Sequence, residues 1–192
     1  MKNRARTNPD ICSQCNTLYG SCCKTTGDSN RDMPAPISEP EIHRILQRVN
    51  KNNHTRDDFF EKKENSPLFI NQMAALFPGM EDSVAAAFPE NKTHFQLKSI
   101  KTACIFLSVK GCTLPDHARP LFCRIYPFWF FDDQPQVFQD PRCFALQVCK
   151  TVPELLLALG TNSGTLQKIH LQICQNWGFC SAMTQMKMTA VM

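Results

Sequence analysis

Apolar residues fall into clear periodic groups over part of the chain, and the stretches between those groups are equally informative. Ser38 followed by Glu41 has the form of a capping box, and Pro40 suits a first helical turn. Ile42, Ile45, Leu46 and Val49 then follow at the spacing of one helical face. Residues 50–65 are charged and polar, which predicts a loop or an exposed helix around positions 57–63. A second helix is expected from Pro67 to Phe77, stopped by Pro78 and Gly79. Alternation over residues 93–100, with Phe95, Leu97 and Ser99 on one face, predicts a strand. Residues 103–107 form a short apolar run, and Lys110 with Gly111 supplies a turn, so the stretch from Cys104 to Cys112 reads as a hairpin. The run PFWFF at 127–131, a turn at 132–135 and QVFQ at 136–139 predict another. Beyond Cys143 the period is helical: Leu155, Leu156 and Leu159 form one stripe, and Leu166, Ile169, Ile173 and Trp177 form a second. Together these elements predict an α+β fold, a small antiparallel sheet flanked by helices.

Residues 12–33 do not fit this pattern. Four cysteines stand there among Gly, Ser, Thr and Asn, with too few apolar residues to make a core. A metal can order such a segment, because its binding free energy becomes folding free energy. The expected organisation is therefore a flexible basic tail over 1–11 and a cysteine-cluster metal-binding domain over 12–150, with a metal-stapled N-terminal segment. Helices over 151–192 are expected to pack on the same domain.

Composition narrows the function classes. With 192 residues, 43% hydrophobic and 20% charged, the chain is suited to one cored domain rather than wholesale disorder. The net charge of +4 is not gathered into a basic stripe beyond Lys2, Arg4 and Arg6, so there is no strong nucleic-acid signal. No apolar run approaches the roughly 20 residues of a bilayer span, and none follows the basic start as a secretory signal requires. The cytoplasm is the expected location, where thiols stay reduced. The eleven cysteines are then metal ligands first, reactive thiols second and disulfides last.

Cys12 and Cys15 form a CxxC pair, a spacing that lets a turn aim two sulfurs at one ion. A thioredoxin-like reading of the pair needs a strand before it and a helix after it, and neither is predicted. Cys22 and Cys23 are adjacent, so one is expected to ligate while its neighbour packs, or the two serve different metals. Cys104, Cys112, Cys123 and Cys143 complete a set of eight candidate ligands. They suit two four-thiolate sites, or one cluster with spare thiols, and the cofactor is either an iron–sulfur cluster or Zn2+. Cys149 and Cys174 lie on apolar helical stretches and read as core, as does His170 despite its i,i+4 spacing to Cys174. Arg119 and Arg124 flank Cys123 and either stabilise thiolates or pair with Asp116 or Asp132.

The order Cys12-x-x-Cys15, Cys22-Cys23, ISEPEIHRI (37–45), CIFLSVKGC (104–112) and RPLFCRIYPF (119–128) resembles the bacterial YkgJ-type cysteine-cluster family. The resemblance runs from about Cys12 to Cys143. It differs in placing six residues before the double cysteine, where about two are usual. The resemblance implies a zinc- or iron-chelating domain of unassigned activity. Flagellin lysine N-methylases resemble the same family, which implies a second reading: an iron–sulfur, S-adenosylmethionine-dependent methylase acting on a protein substrate. A third reading is a partner-binding module with a structural zinc, for which PFWFF and Phe138 supply a candidate apolar patch.

Overall fold

The computed structural model describes residues 11–18, 23–24, 35–49, 54–131 and 134–179. Helix α1 (Ile11–Leu18) contains the CxxC pair. Helix α2 (Glu39–Val49) begins where the capping pattern places it: Glu41 reaches back to accept from the Ser38 backbone N–H at 3.1 Å and its hydroxyl at 2.5 Å. Residues 54–65, expected as loop or exposed helix, instead form a short helix α3 (Arg56–Phe59) and a strand β1 (Phe60–Glu64). That strand was hidden by its charge, since only Phe60 in it is buried and its remaining side chains are mostly exposed. It pairs antiparallel with β2 (Thr93–Leu97), from Phe60 opposite Leu97 to Glu64 opposite Thr93.

Between these strands run α4 (Pro67–Leu76) and α5 (Glu81–Ala87). Ser66 caps α4 by accepting from the Phe69 N–H at 3.2 Å. The next stretch is a chain of very short ribbons. Strands β3 (Ser99–Ile100) and β4 (Ala103–Cys104) pair with each other, and β5 (Leu107–Ser108) pairs with β6 (Gly111–Cys112). The hairpin expected over 104–112 is therefore narrower, and Cys104 belongs to the preceding ribbon. Helix α6 (Leu121–Ile125) follows, then the hairpin of β7 (Phe128–Phe131) with β8 (Gln134–Val137). Helices α7 (Phe144–Val148), α8 (Val152–Ala158) and α9 (Ser163–Asn176) complete the described chain. The architecture is thus mixed helix and antiparallel strand. Among the described residues the strands form four separate two-stranded ribbons instead of one sheet.

Two buried clusters hold these elements. The larger joins α4, α5, α6, β7, α8 and α9 around Trp129, which is 0% exposed and donates its indole N–H to the Leu76 carbonyl at 2.7 Å. Phe77, Phe122 and His170 pack their rings against it. Phe128 and Phe130 are buried as well, so PFWFF builds the core and supplies no docking patch. Ile11 also lies in this cluster, which corrects the expectation that the tail extends to it. Residues 1–10 and 180–192 lie outside the described residues. Cys174 and His170 are buried in the same core, as their helical positions predict. The smaller cluster consists of Ile37, Ile42, Ile45, Phe60, Phe106 and Leu114, with Cys104 and Cys112 packed against it.

His94 shows what both sides of β2 bury. Its ring stacks on Phe69 at 3.9 Å, and its Nδ1 meets the Asn65 side-chain oxygen at 2.8 Å. Burial, with a smaller contribution from Lys63, lowers its pKa to about 4. Among the described residues no helix is long and apolar enough to cross a membrane.

Candidate metal centre

The candidate ligands are delivered by short elements whose backbones are tied to one another. Cys12 and Cys15 sit three apart on one face of α1, which replaces the expected turn with a helix. The buried Cys15 thiol donates to the Arg142 carbonyl at 3.5 Å. That contact brings α1 against Cys143, which is itself buried and caps the start of α7. On the other side, the Cys104 N–H donates to the Cys23 carbonyl at 2.7 Å, and Lys24 forms a bridge with Ala103. Cys112 ends β6 opposite Leu107, and Cys123 occupies the middle of α6. Helix α6 is anchored in turn by the buried Glu41, whose carboxylate accepts from the Leu121 N–H at 2.7 Å.

Seven of the eight candidates, Cys12, Cys15, Cys23, Cys104, Cys112, Cys123 and Cys143, line one cavity of about 90 Å³. Cys22 lies outside the described residues. Cys12 and Cys123 have accessible surface, and both line this cavity. Cys12, Cys104, Cys112, Cys123, Cys143 and Cys149 are free thiols. The cavity-lining cysteines fall into two neighbouring groups that the sequence halves do not predict. Cys23, Cys104 and Cys112 raise the pKa of Cys123 electrostatically and Cys23 raises those of Cys104 and Cys112, while Cys15 acts on Cys143 and both of these, with Cys23, act on Cys12. Among the described residues no three Cys, His, Asp or Glu side chains already stand as a single-ion site. A cysteine sulfur moves by roughly 3 Å between staggered χ1 wells, so side-chain rotation changes which thiols can meet.

Burial is the main cause of the raised thiols, and mutual repulsion between would-be thiolates adds to it. Cys104 is pushed up to about 12, Cys123 is raised well above the ordinary thiol value, and Cys12, Cys112 and Cys143 are raised as well. A raised thiol is a poor nucleophile, so the arrangement is badly suited to thiol catalysis. A bound cation reverses this logic, because the crowding that disfavours each thiolate becomes attraction to the ion. The all-sulfur donor set fits zinc or an iron–sulfur cluster, and it suits hard oxygen-loving cations poorly.

The two flanking arginines have different surroundings. Arg119 lines the cavity, lowers the pKa of Cys12 and Cys112, and donates its Nε–H to the Leu114 carbonyl at 3.0 Å. Arg124 instead approaches Asp116 at 3.6 Å, the ordinary ion pair. His117 is exposed and does not line the cavity. Sequence reasoning missed the role of Glu41. Its signal was the capping box itself, which requires a carboxylate at the point where the chain turns inward.

No family model, curated protein or solved structure matches this chain.

Proposed function

We propose that this protein is a metal-binding cysteine-cluster protein, holding an iron–sulfur cluster or zinc through thiolates of Cys12, Cys15, Cys23, Cys104, Cys112, Cys123 and Cys143, with Cys22 as a further candidate. The observation that carries the proposal is the convergence of seven thiols, separated by up to 131 positions from Cys12 to Cys143, on one cavity. Buried free cysteine is common as a small apolar residue. Seven thiols around a shared space, five of them with raised pKa, is a costly arrangement unless a cation occupies it. The metal-stapled N-terminal segment, the reducing compartment and the likeness to YkgJ-type domains belong to the same proposal. When bound, the metal supplies the link between α1, the ribbons and α6 that hydrophobic burial supplies elsewhere.

The test is anaerobic purification of the whole chain, followed by absorption spectroscopy and elemental analysis on one sample. A broad band near ~400 nm with matching iron and sulfide identifies a cluster of the kind thiolates hold. A colourless protein with stoichiometric zinc identifies the other member of the pair. Less than one equivalent of any transition metal overturns the proposal.

A further inference from the structure

Beside the thiol-lined cavity lies a larger one of about 210 Å³. The two share a wall made by Cys23, Leu97, Cys104, Pro120, Cys123 and Tyr126. Away from that wall the chemistry changes. Ala35, Ile37 and Phe122 contribute apolar surface, which predominates, while Lys24, Asp140 and Arg142 bring charge. Asp140 is satisfied by its neighbours: it accepts from the Arg142 backbone N–H at 2.8 Å, its Nε at 3.0 Å and its Nη2 at 3.0 Å, and from the Tyr126 hydroxyl at 2.6 Å. Arg142 offsets its charge, which leaves Lys24 as the remaining cation among the described lining residues.

We propose that this second cavity binds a small organic carboxylate. Its apolar part packs on Ala35, Ile37 and Phe122, its carboxylate faces Lys24 and Arg142, and its inner end meets the wall of Cys23, Cys104 and Cys123. Lys24, set on the side away from the thiol wall beside the Arg142–Asp140 pair, suits a carboxylate head, and a mostly apolar wall favours a ligand with a hydrocarbon body over a free inorganic anion. The last contact rests on the metal-centre reading. It makes that centre one a ligand can approach, in contrast to a closed structural staple.

Hexanoate, hexanol and hexylamine, matched in length and differing in head group, are the probes. They are titrated into the whole metal-loaded protein, with saturation-transfer NMR reporting on the ligand and the absorption of the cluster, or of cobalt(II) substituted for zinc, reporting on the metal. Hexanoate is expected to bind saturably and to perturb the metal bands, with hexanol weaker by about tenfold and hexylamine weaker still. Lys24→Glu is expected to weaken hexanoate by about tenfold at unchanged metal content, and Ala35→Trp to block it by filling the cavity. Circular dichroism confirms that both variants fold. No hexanoate signal at about 10 mM, well above a millimolar affinity, overturns the proposal. Equal binding of hexanol, or indifference to Lys24→Glu, does the same. Hexanoate binding with unchanged metal bands removes the contact with the centre. If the purified protein carries no metal, the NMR experiment on that metal-free protein still reads the cavity, so the two readings fail separately.

Discussion

Around Trp129 the chain buries rings against one another on helices and a hairpin long enough to carry periodic patterns. Around Cys123 it gathers thiols on two-residue strands and single helical turns. The first region is ordered by apolar area removed from water, worth roughly 25 cal/mol per Å². The second buries groups that repel one another once ionised, and its backbone ties are individual hydrogen bonds such as Cys104 to Cys23. The comparison teaches that one domain can hold a core ordered by ring packing beside a thiol-rich region tied by individual hydrogen bonds.

Trp129→Ala is the largest expected insult to the first region, a loss of about 3–5 kcal/mol. Denaturant curves should give the same loss with and without metal; a loss that depends on metal would merge the two regions. The pair Cys104→Ser and Cys123→Ser tests the opposite side. Metal-loaded protein should lose the stabilisation that binding supplies, about 4 kcal/mol at a thousandfold excess over Kd, while the metal-free protein changes little. Urea unfolding of both forms measures this, and an equal loss in each would contradict the division.

Acid sharpens the comparison through His94. The folded state holds its pKa near 4, below the ordinary 6.5, so the folded protein binds fewer protons than the unfolded chain. The His94 contribution is fully present above about pH 6.5, falls as pH drops from there towards 4, and is gone below that. His94→Gln should flatten stability against pH in this window, and an unchanged slope would remove the assignment. Glu41→Gln reaches the link between the regions. It leaves one oxygen where two accept from Ser38 and Leu121, at a cost of about 1–3 kcal/mol, and should loosen metal retention in a chelator challenge. The smallest effect is expected from Asn162→Ala, about 1 kcal/mol from the lost cap of α9, with metal retention unaffected.

Where local chemistry was strong, the sequence was legible. The capping box at Ser38 and Glu41, the Pro67 helix, the β7–β8 hairpin and the C-terminal stripes all have causes within a few residues of themselves. Strand β1 was missed because FEKKE has almost no apolar pattern, and its conformation comes from pairing with β2, more than thirty positions away. The CxxC pair was expected in a turn because that spacing lets a turn aim two sulfurs at one ion. Ile11 in the large core and the packing of α1 on α7 hold it in a helix instead.

The sequence by itself determined which residues are candidates for the chemistry: cysteine types and spacing are visible without a fold, as are the helical faces. Only tertiary structure decided how they are grouped. It set Cys23 beside Cys104 and Cys143 beside Cys15, through the Cys104 to Cys23 backbone hydrogen bond and the Cys15 thiol bond to the Arg142 carbonyl. It also turned Arg119 to the thiols and Arg124 to Asp116, though both flank the same cysteine. The physical reason is the range of the forces involved. Propensity, capping and periodicity act over a few residues, whereas the position of a thiol depends on closing loops of about a hundred, which sequence proximity does not encode.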